Sequence, residues 1–145
     1  MKVKITKFYD DAIIPAYQTE GAAGFDFCAH IPEPVTLKPG EIKSFGTGVG
    51  VELPAGYELQ IRSRSGLAYK HHVSLLNGIG TIDSDYRGEM SVLLKNHGDE
   101  DFIVEPGMRI AQGVVAQYTH VEWEEVLELT ETDRSAGGFG STGLK

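Results

Sequence analysis

Glycine and proline interrupt this chain so often that a long helix fits nowhere in it. Eighteen glycines and six prolines are spread through 145 residues. The segments between them are short and rich in Val, Ile, Phe and Tyr, and several alternate apolar and polar residues with period two. Strands are therefore expected over 3–8, 41–53, 57–63, 89–95, 101–104 and 110–121. Turn signals fall between them at Lys38-Pro39-Gly40, Pro54-Ala55-Gly56, Asn96-His97-Gly98-Asp99 and Glu105-Pro106-Gly107. Only 66–71 suits a helical turn or two. Many short strands at even spacing predict an all-β chain, a jelly-roll-like β-barrel or sandwich. A chain of this length buries one such core.

Composition excludes several partners. A formal net charge of −8 repels nucleic acid, although local arginines and a divalent cation would still admit a small polyanion. No apolar run approaches the roughly 20 residues that cross a bilayer, so no membrane partner is expected. The opening Met1-Lys2-Val3-Lys4-Ile5 alternates apolar and basic residues, unlike a signal peptide. The single cysteine, Cys28, has no intrachain partner, which points to a reducing, cytoplasmic compartment. Within Phe25-Asp26-Phe27-Cys28-Ala29 it reads as a small buried hydrophobe. The acidic stretches Asp99-Glu100-Asp101 and 122–133 read as solvated faces.

Three internal blocks carry chemistry. In the first, a strand runs into Arg64-Ser65-Gly66, presenting a guanidinium, a hydroxyl and an unhindered N–H together. That set suits phosphate oxygens, and it also makes an ordinary surface turn. The second block, 77–89, has glycines on both sides and apolar residues inside, and reads as a β-hairpin able to hug a planar ligand. Asp83 follows Thr81-Ile82 at a strand end, where a carboxylate can deprotonate a water. Asp85 is as acidic, and spacing does not choose between them. Metal binding or simple turn formation are open for both. In the third block, Gly107-Met108-Arg109-Ile110-Ala111-Gln112, Gln112 offers an amide while Arg109 reads as structural. Asp26 sits in an apolar frame and needs a partner, which the Arg62–Arg64 stretch can supply.

The end of the chain, Arg134-Ser135-Ala136-Gly137-Gly138-Phe139-Gly140-Ser141-Thr142-Gly143, is either an ordinary loose terminus or an arm that folds over a nucleotide. A Walker-type phosphate loop is absent, as are cysteine pairs and a His-Glu-x-x-His zinc motif. The scattered histidines read as surface or core residues.

Taken in order, Ala23-Gly24-Phe25-Asp26, Arg64-Ser65-Gly66-Leu67-Ala68, the 77–89 block, Gly107 through Gln112 and Arg134 through Gly143 resemble the five motifs of the trimeric deoxyuridine triphosphatases. The resemblance implies a homotrimer with active sites shared between subunits. It implies residues 1–130 as the β jelly-roll domain and 131–145 as a flexible glycine-rich C-terminal arm. By similarity, dUTP is hydrolysed to dUMP and pyrophosphate, which keeps uracil out of DNA and supplies dUMP for thymidylate synthesis. Asp83 would activate the attacking water, and Tyr86 would pack under the deoxyribose. Asn77, Gly80, Thr81 and Ile82 would read and enclose the uracil. Arg64, Ser65, Gly66 and Gln112 would hold phosphates, with Asp26 in support. From the arm, Arg134 would reach the terminal phosphate, Phe139 and Gly140 would cover the uracil, and Ser141 and Thr142 would add phosphate contacts. Mg2+ would bind through substrate phosphates and water, with no direct protein ligand.

Some positions depart from the family pattern. Phe25 stands where tyrosine is frequent, and Gly78-Ile79 and Ser135-Ala136 are local variants. Ser63 replaces the usual proline before Arg-Ser-Gly, which frees φ and predicts a looser phosphate loop. The related deoxycytidine triphosphate deaminases share the fold, but Leu93 stands where their catalytic glutamate would fall, and their tail differs. A non-catalytic nucleotide sensor would be expected to lack the base that Asp83 supplies.

Overall fold

A computed structural model describes residues 1–138, and nearly all of their regular structure is strand. In chain order these are β1 (Lys4–Lys7), β2 (Ala16–Tyr17), β3 (Phe25–Cys28), β4 (Val35–Leu37), β5 (Ile42–Gly46), β6 (Val49–Glu52) and β7 (Tyr57–Arg62). One helix, α1 (Ser65–His71), then precedes β8 (Val73–Leu75), β9 (Ile79–Ile82), β10 (Ser91–Asn96), β11 (Phe102–Val104) and β12 (Arg109–Gln117). A five-stranded sheet runs β2-β3-β12-β7-β9, and a three-stranded sheet runs β5-β10-β8. The pairs β1-β6 and β4-β11 complete a jelly-roll-like all-β fold in which the pairings are antiparallel.

Alternation places the core. On β10, Val92, Leu94 and Asn96 are buried while Ser91 and Leu93 are exposed, and on β7 Leu59 and Ile61 point inward. Phe27, Phe45, Leu37, Met90 and Ile110 fill the space between the sheets. Asn96 is a polar member of this core, with none of its surface exposed. Its Nδ2 donates to the carbonyls of Leu37 (2.9 Å) and Glu100 (2.8 Å), and its Oδ1 accepts from Gly98 N (2.9 Å). These bonds remove the desolvation penalty of burying an amide.

Four expectations change. The strand predicted over 41–53 is two strands, because Gly48 takes φ 71° and turns the chain. Met90 seals that turn, its carbonyl accepting from Thr47 N and Thr47 Oγ1 (3.0 and 2.8 Å). The segment 77–89 is no self-paired hairpin: β8 pairs with β10, whereas β9 crosses to β7 in the other sheet. Pairing across sheets is a non-local outcome that local turn signals do not encode. The strand predicted over 110–121 ends at Gln117, and Tyr118 N then donates to Gly56 O at 3.0 Å. Residues 119–136 beyond it are exposed and form no strand with the rest of the chain. Cys28 is half-buried on β3 rather than fully enclosed.

Candidate active site

The central sheet aligns two of the predicted residues, Gln112 and Asp26. Gln112 on β12 lies opposite Asp26 on one side and Arg62 on the other, so β3, β12 and β7 deliver their side chains to one patch. Asp26 is the pivot. Its Oδ1 accepts from Arg64 Nε at 3.1 Å and its Oδ2 from Arg109 Nη1 at 3.0 Å. Only 12% of the Asp26 side chain is exposed, so the two guanidiniums replace water as its solvation. Arg64 also donates from Nη1 to the Arg109 carbonyl at 2.8 Å. Asp26 finds its arginine in the stretch the sequence indicated, and Arg109 adds a second that the sequence reading passed over. Two cations are thereby fixed beside Cys28. Burial first, then the Asp26 carboxylate, pushes its thiol above the usual range.

Arg64 has an extended backbone (φ −89°, ψ 126°) and turns the chain from β7 into α1. It gives the helix start no side-chain cap. Ser65 and Gly66 are exposed there, with open space where a Gly66 side chain would be. Gln112 Nε2 donates to Ser63 O at 2.9 Å, which ties β12 to the residue before Arg64. Ser63 is itself pinned, its Oγ accepting from Leu75 N at 2.9 Å. The loop expected to be loose is therefore held from two directions.

A second group gathers at the sheet edge. Strand β9 pairs with β7 through Leu59 opposite Ile82, Gln60 opposite Thr81 and Ile61 opposite Gly80. A Cβ on Gly80 would stand 3.4 Å from both Asn77 Nδ2 and Ile61 Cβ, so glycine lets the Asn77 amide fold against the strand. Beyond β9, Thr81, Ile82, Asp83 and Tyr86 line a cavity of about 240 Å³ together with Glu89. Asp85 does not line it. Tyr86 OH donates to Glu89 O at 2.9 Å, and the Glu89 carboxylate accepts from Gly48 N at 2.8 Å. Glu89 thus braces the aromatic ring from the β5–β6 turn, a part that sequence reading did not assign. Among the described residues, no side chain or backbone N–H is bonded to the Asp83 carboxylate. It stands exposed at the cavity.

Among the described residues, the two groups line different cavities. Arg64 and Arg109 line a groove of about 540 Å³ with Leu67, His71 and Met108, away from the residues around Asp83. Arg134 is exposed, its Nε donating to Gly137 O at 2.9 Å in a turn of its own. Phe139, Gly140, Ser141 and Thr142 lie outside the described residues. Among the described residues, no helix is long and apolar enough to cross a membrane.

Comparison with known proteins places these features. The dUTPase family model matches residues 10–143. The deoxyuridine 5'-triphosphate nucleotidohydrolase of Nautilia profundicola is 57% identical over 143 residues, covering 99% of both chains. The enzyme of the same name from Helicobacter pylori strain P12 is 52% identical, covering 99% of this chain and 98% of that one. Among solved structures, the Staphylococcus bacteriophage 80alpha dUTPase with dUPNHPP superposes at a TM-score of 0.90, with 26% identity and 99% of each chain covered.

Proposed function

The chain belongs to the dUTPase family, and from that premise we propose that it hydrolyses dUTP to dUMP and pyrophosphate with Asp83 as general base. The observation that carries the role of Asp83 is its unpaired carboxylate in the cavity it shares with Tyr86. A water held there gives a proton to the carboxylate while its oxygen attacks the α-phosphorus, and pyrophosphate leaves on the opposite side. General-base assistance of this kind contributes roughly 10²- to 10⁴-fold. Asp83 is favoured over Asp85 because only Asp83 lines the cavity.

The remaining residues bind and orient. Tyr86, braced by Glu89, packs under the deoxyribose and crowds a 2′-hydroxyl. Asn77 and the backbone of Gly80, Thr81 and Ile82 read the uracil edge and leave no room for a thymine methyl. Arg64, Ser65, Gly66 and Gln112 hold the phosphates, and Asp26 keeps Arg64 aimed. Arg134 reaches the terminal phosphate, and Phe139 to Thr142 close over the nucleotide as part of a 131–145 arm. Closure excludes bulk water and aligns the reacting groups.

The donor set fits Mg2+ held by phosphate oxygens and water. Asp26 is committed to two arginines, Asp83 is a single carboxylate, and among the described residues no three His, Cys, Asp or Glu side chains are grouped to hold a metal ion. When bound, the ion supplies charge neutralisation on the phosphates.

The separation of the phosphate-side groove and the Asp83 cavity in one chain supports a homotrimer with shared sites. Neighbouring subunits would bring the two together, with the arm from a further subunit. The deciding experiment measures pyrophosphate release from dUTP, dTTP, dCTP and UTP with Mg2+, for wild type and Asp83→Asn. Wild type is expected to prefer dUTP strongly and the variant to be crippled. Comparable turnover of dTTP, or full activity in the variant, would sink the assignment. Light scattering tests the assembly, and a monomer would contradict shared sites.

A further inference from the structure

Ser63 links the phosphate-binding loop to the Asn77 turn within one chain. It follows the last residue of β7 and precedes Arg64. Its carbonyl accepts from Gln112 Nε2 on the phosphate side, and its Oγ accepts from Leu75 N on the other side, both at 2.9 Å. Leu75 ends β8 two residues before Asn77. Past the turn, Ile79 pairs with Arg62 on the same strand end. The turn carrying Asn77 and Gly78 is therefore held at both ends by consecutive residues, Arg62 and Ser63. Leu75 is 5% exposed, so its N–H has no bulk water to turn to if Oγ is removed.

We propose that Ser63 is a positioning residue for base binding, its hydroxyl fixing the Asn77 turn against the phosphate-binding loop. The inference rests on the reading of Asn77 as the uracil contact. It also accounts for serine at a position where the family more often has proline. The ring restrains the loop through φ, whereas the serine hydroxyl restrains it through a hydrogen bond to the neighbouring turn. Asp83 lies at the far end of β9 and does not share this tether, so the base-binding step and not the chemical step depends on it.

The test is steady-state kinetics of the intact protein on dUTP for wild type, Ser63→Ala and Ser63→Thr. Losing one hydrogen bond used equally in ground and transition states is expected to raise KM about five-fold in Ser63→Ala while kcat stays within about two-fold. Ser63→Thr keeps the acceptor and is expected to restore KM. Should Ser63→Ala not fold, Ser63→Cys carries the same comparison, because a thiol accepts hydrogen bonds weakly. An unchanged KM in an active Ser63→Ala enzyme overturns the role of Ser63 alone. So does a fall in kcat at constant KM, or a threonine variant as impaired as alanine. A wild type inert on dUTP would instead overturn the underlying reading, and this inference with it.

Discussion

Asp26 and Arg64, 38 residues apart in the chain, meet at 3.1 Å with the carboxylate almost enclosed. Arg109 takes the second oxygen of the same carboxylate at 3.0 Å. The arginine proposed to face substrate phosphates is thus held by a largely enclosed anion instead of moving freely in water. Asp26→Ala removes that anion and leaves two guanidiniums facing each other. Urea denaturation should register a loss of about 2 kcal/mol, less than for a fully buried pair because Arg109 is 45% exposed. Turnover of dUTP should fall as well, since Arg64 loses its aim.

Asp83 offers the opposite combination. Its carboxylate is exposed and carries no described bond that folding relies on. Asp83→Asn should lower kcat by roughly 10²- to 10⁴-fold and leave the thermal unfolding midpoint where it was. A variant that loses activity only in step with its fold would contradict this separation of chemistry from stability.

Asn96 serves the fold alone. Replacing it with alanine strands the Leu37 carbonyl in the interior and takes a partner from the Glu100 carbonyl and the Gly98 N–H. Chemical denaturation should show a loss of about 2–4 kcal/mol, with KM for dUTP unchanged in the folded fraction.

Acid should loosen one surface contact only below the ordinary aspartate range. Asp11 Oδ1 lies 2.9 Å from His30 Nε2, whose ring stacks on Tyr9 at 4.4 Å. That hydrogen bond, followed by a backbone bond of its own, holds the Asp11 carboxyl below the usual range. A depressed folded-state value means the contact contributes fully above the unfolded value of about 3.9 and is lost as pH falls through the lower folded value. NMR titration should find the Asp11 midpoint below the ordinary aspartate value, and His30→Ala should return it there.

Much of this protein can be read locally. The β-rich segments between glycines and prolines announce an all-β fold, because period-two alternation and turn chemistry act over a few residues. The helix over 65–71 is visible for the same reason. Strands of two to four residues, such as β2 and β4, are too short to show a period. The break at Gly48 is hidden because glycine suits a strand bulge and a turn alike until Met90 arrives to seal it. Among site residues, Asp83 and Tyr86 were singled out by the resemblance of their block, which already preferred Asp83 over Asp85; the structure adds that Asp83 lines the cavity and Asp85 does not. Arg109 looked structural, and only the pairing of β12 with β3 brought it to Asp26. Glu89 gave no signal beyond its place in the block.

The sequence by itself determined the fold class, the five blocks and the family, since these depend on residue type, order and short-range periodicity. The tertiary structure alone decided which side chains meet. It sent β9 to β7 instead of back onto its neighbour, placed two arginines on one largely enclosed carboxylate and tied Ser63 to Leu75. Such contacts are set by strand register across a sheet, where a one-residue shift turns every side chain to the other face. No local stretch of sequence carries that information.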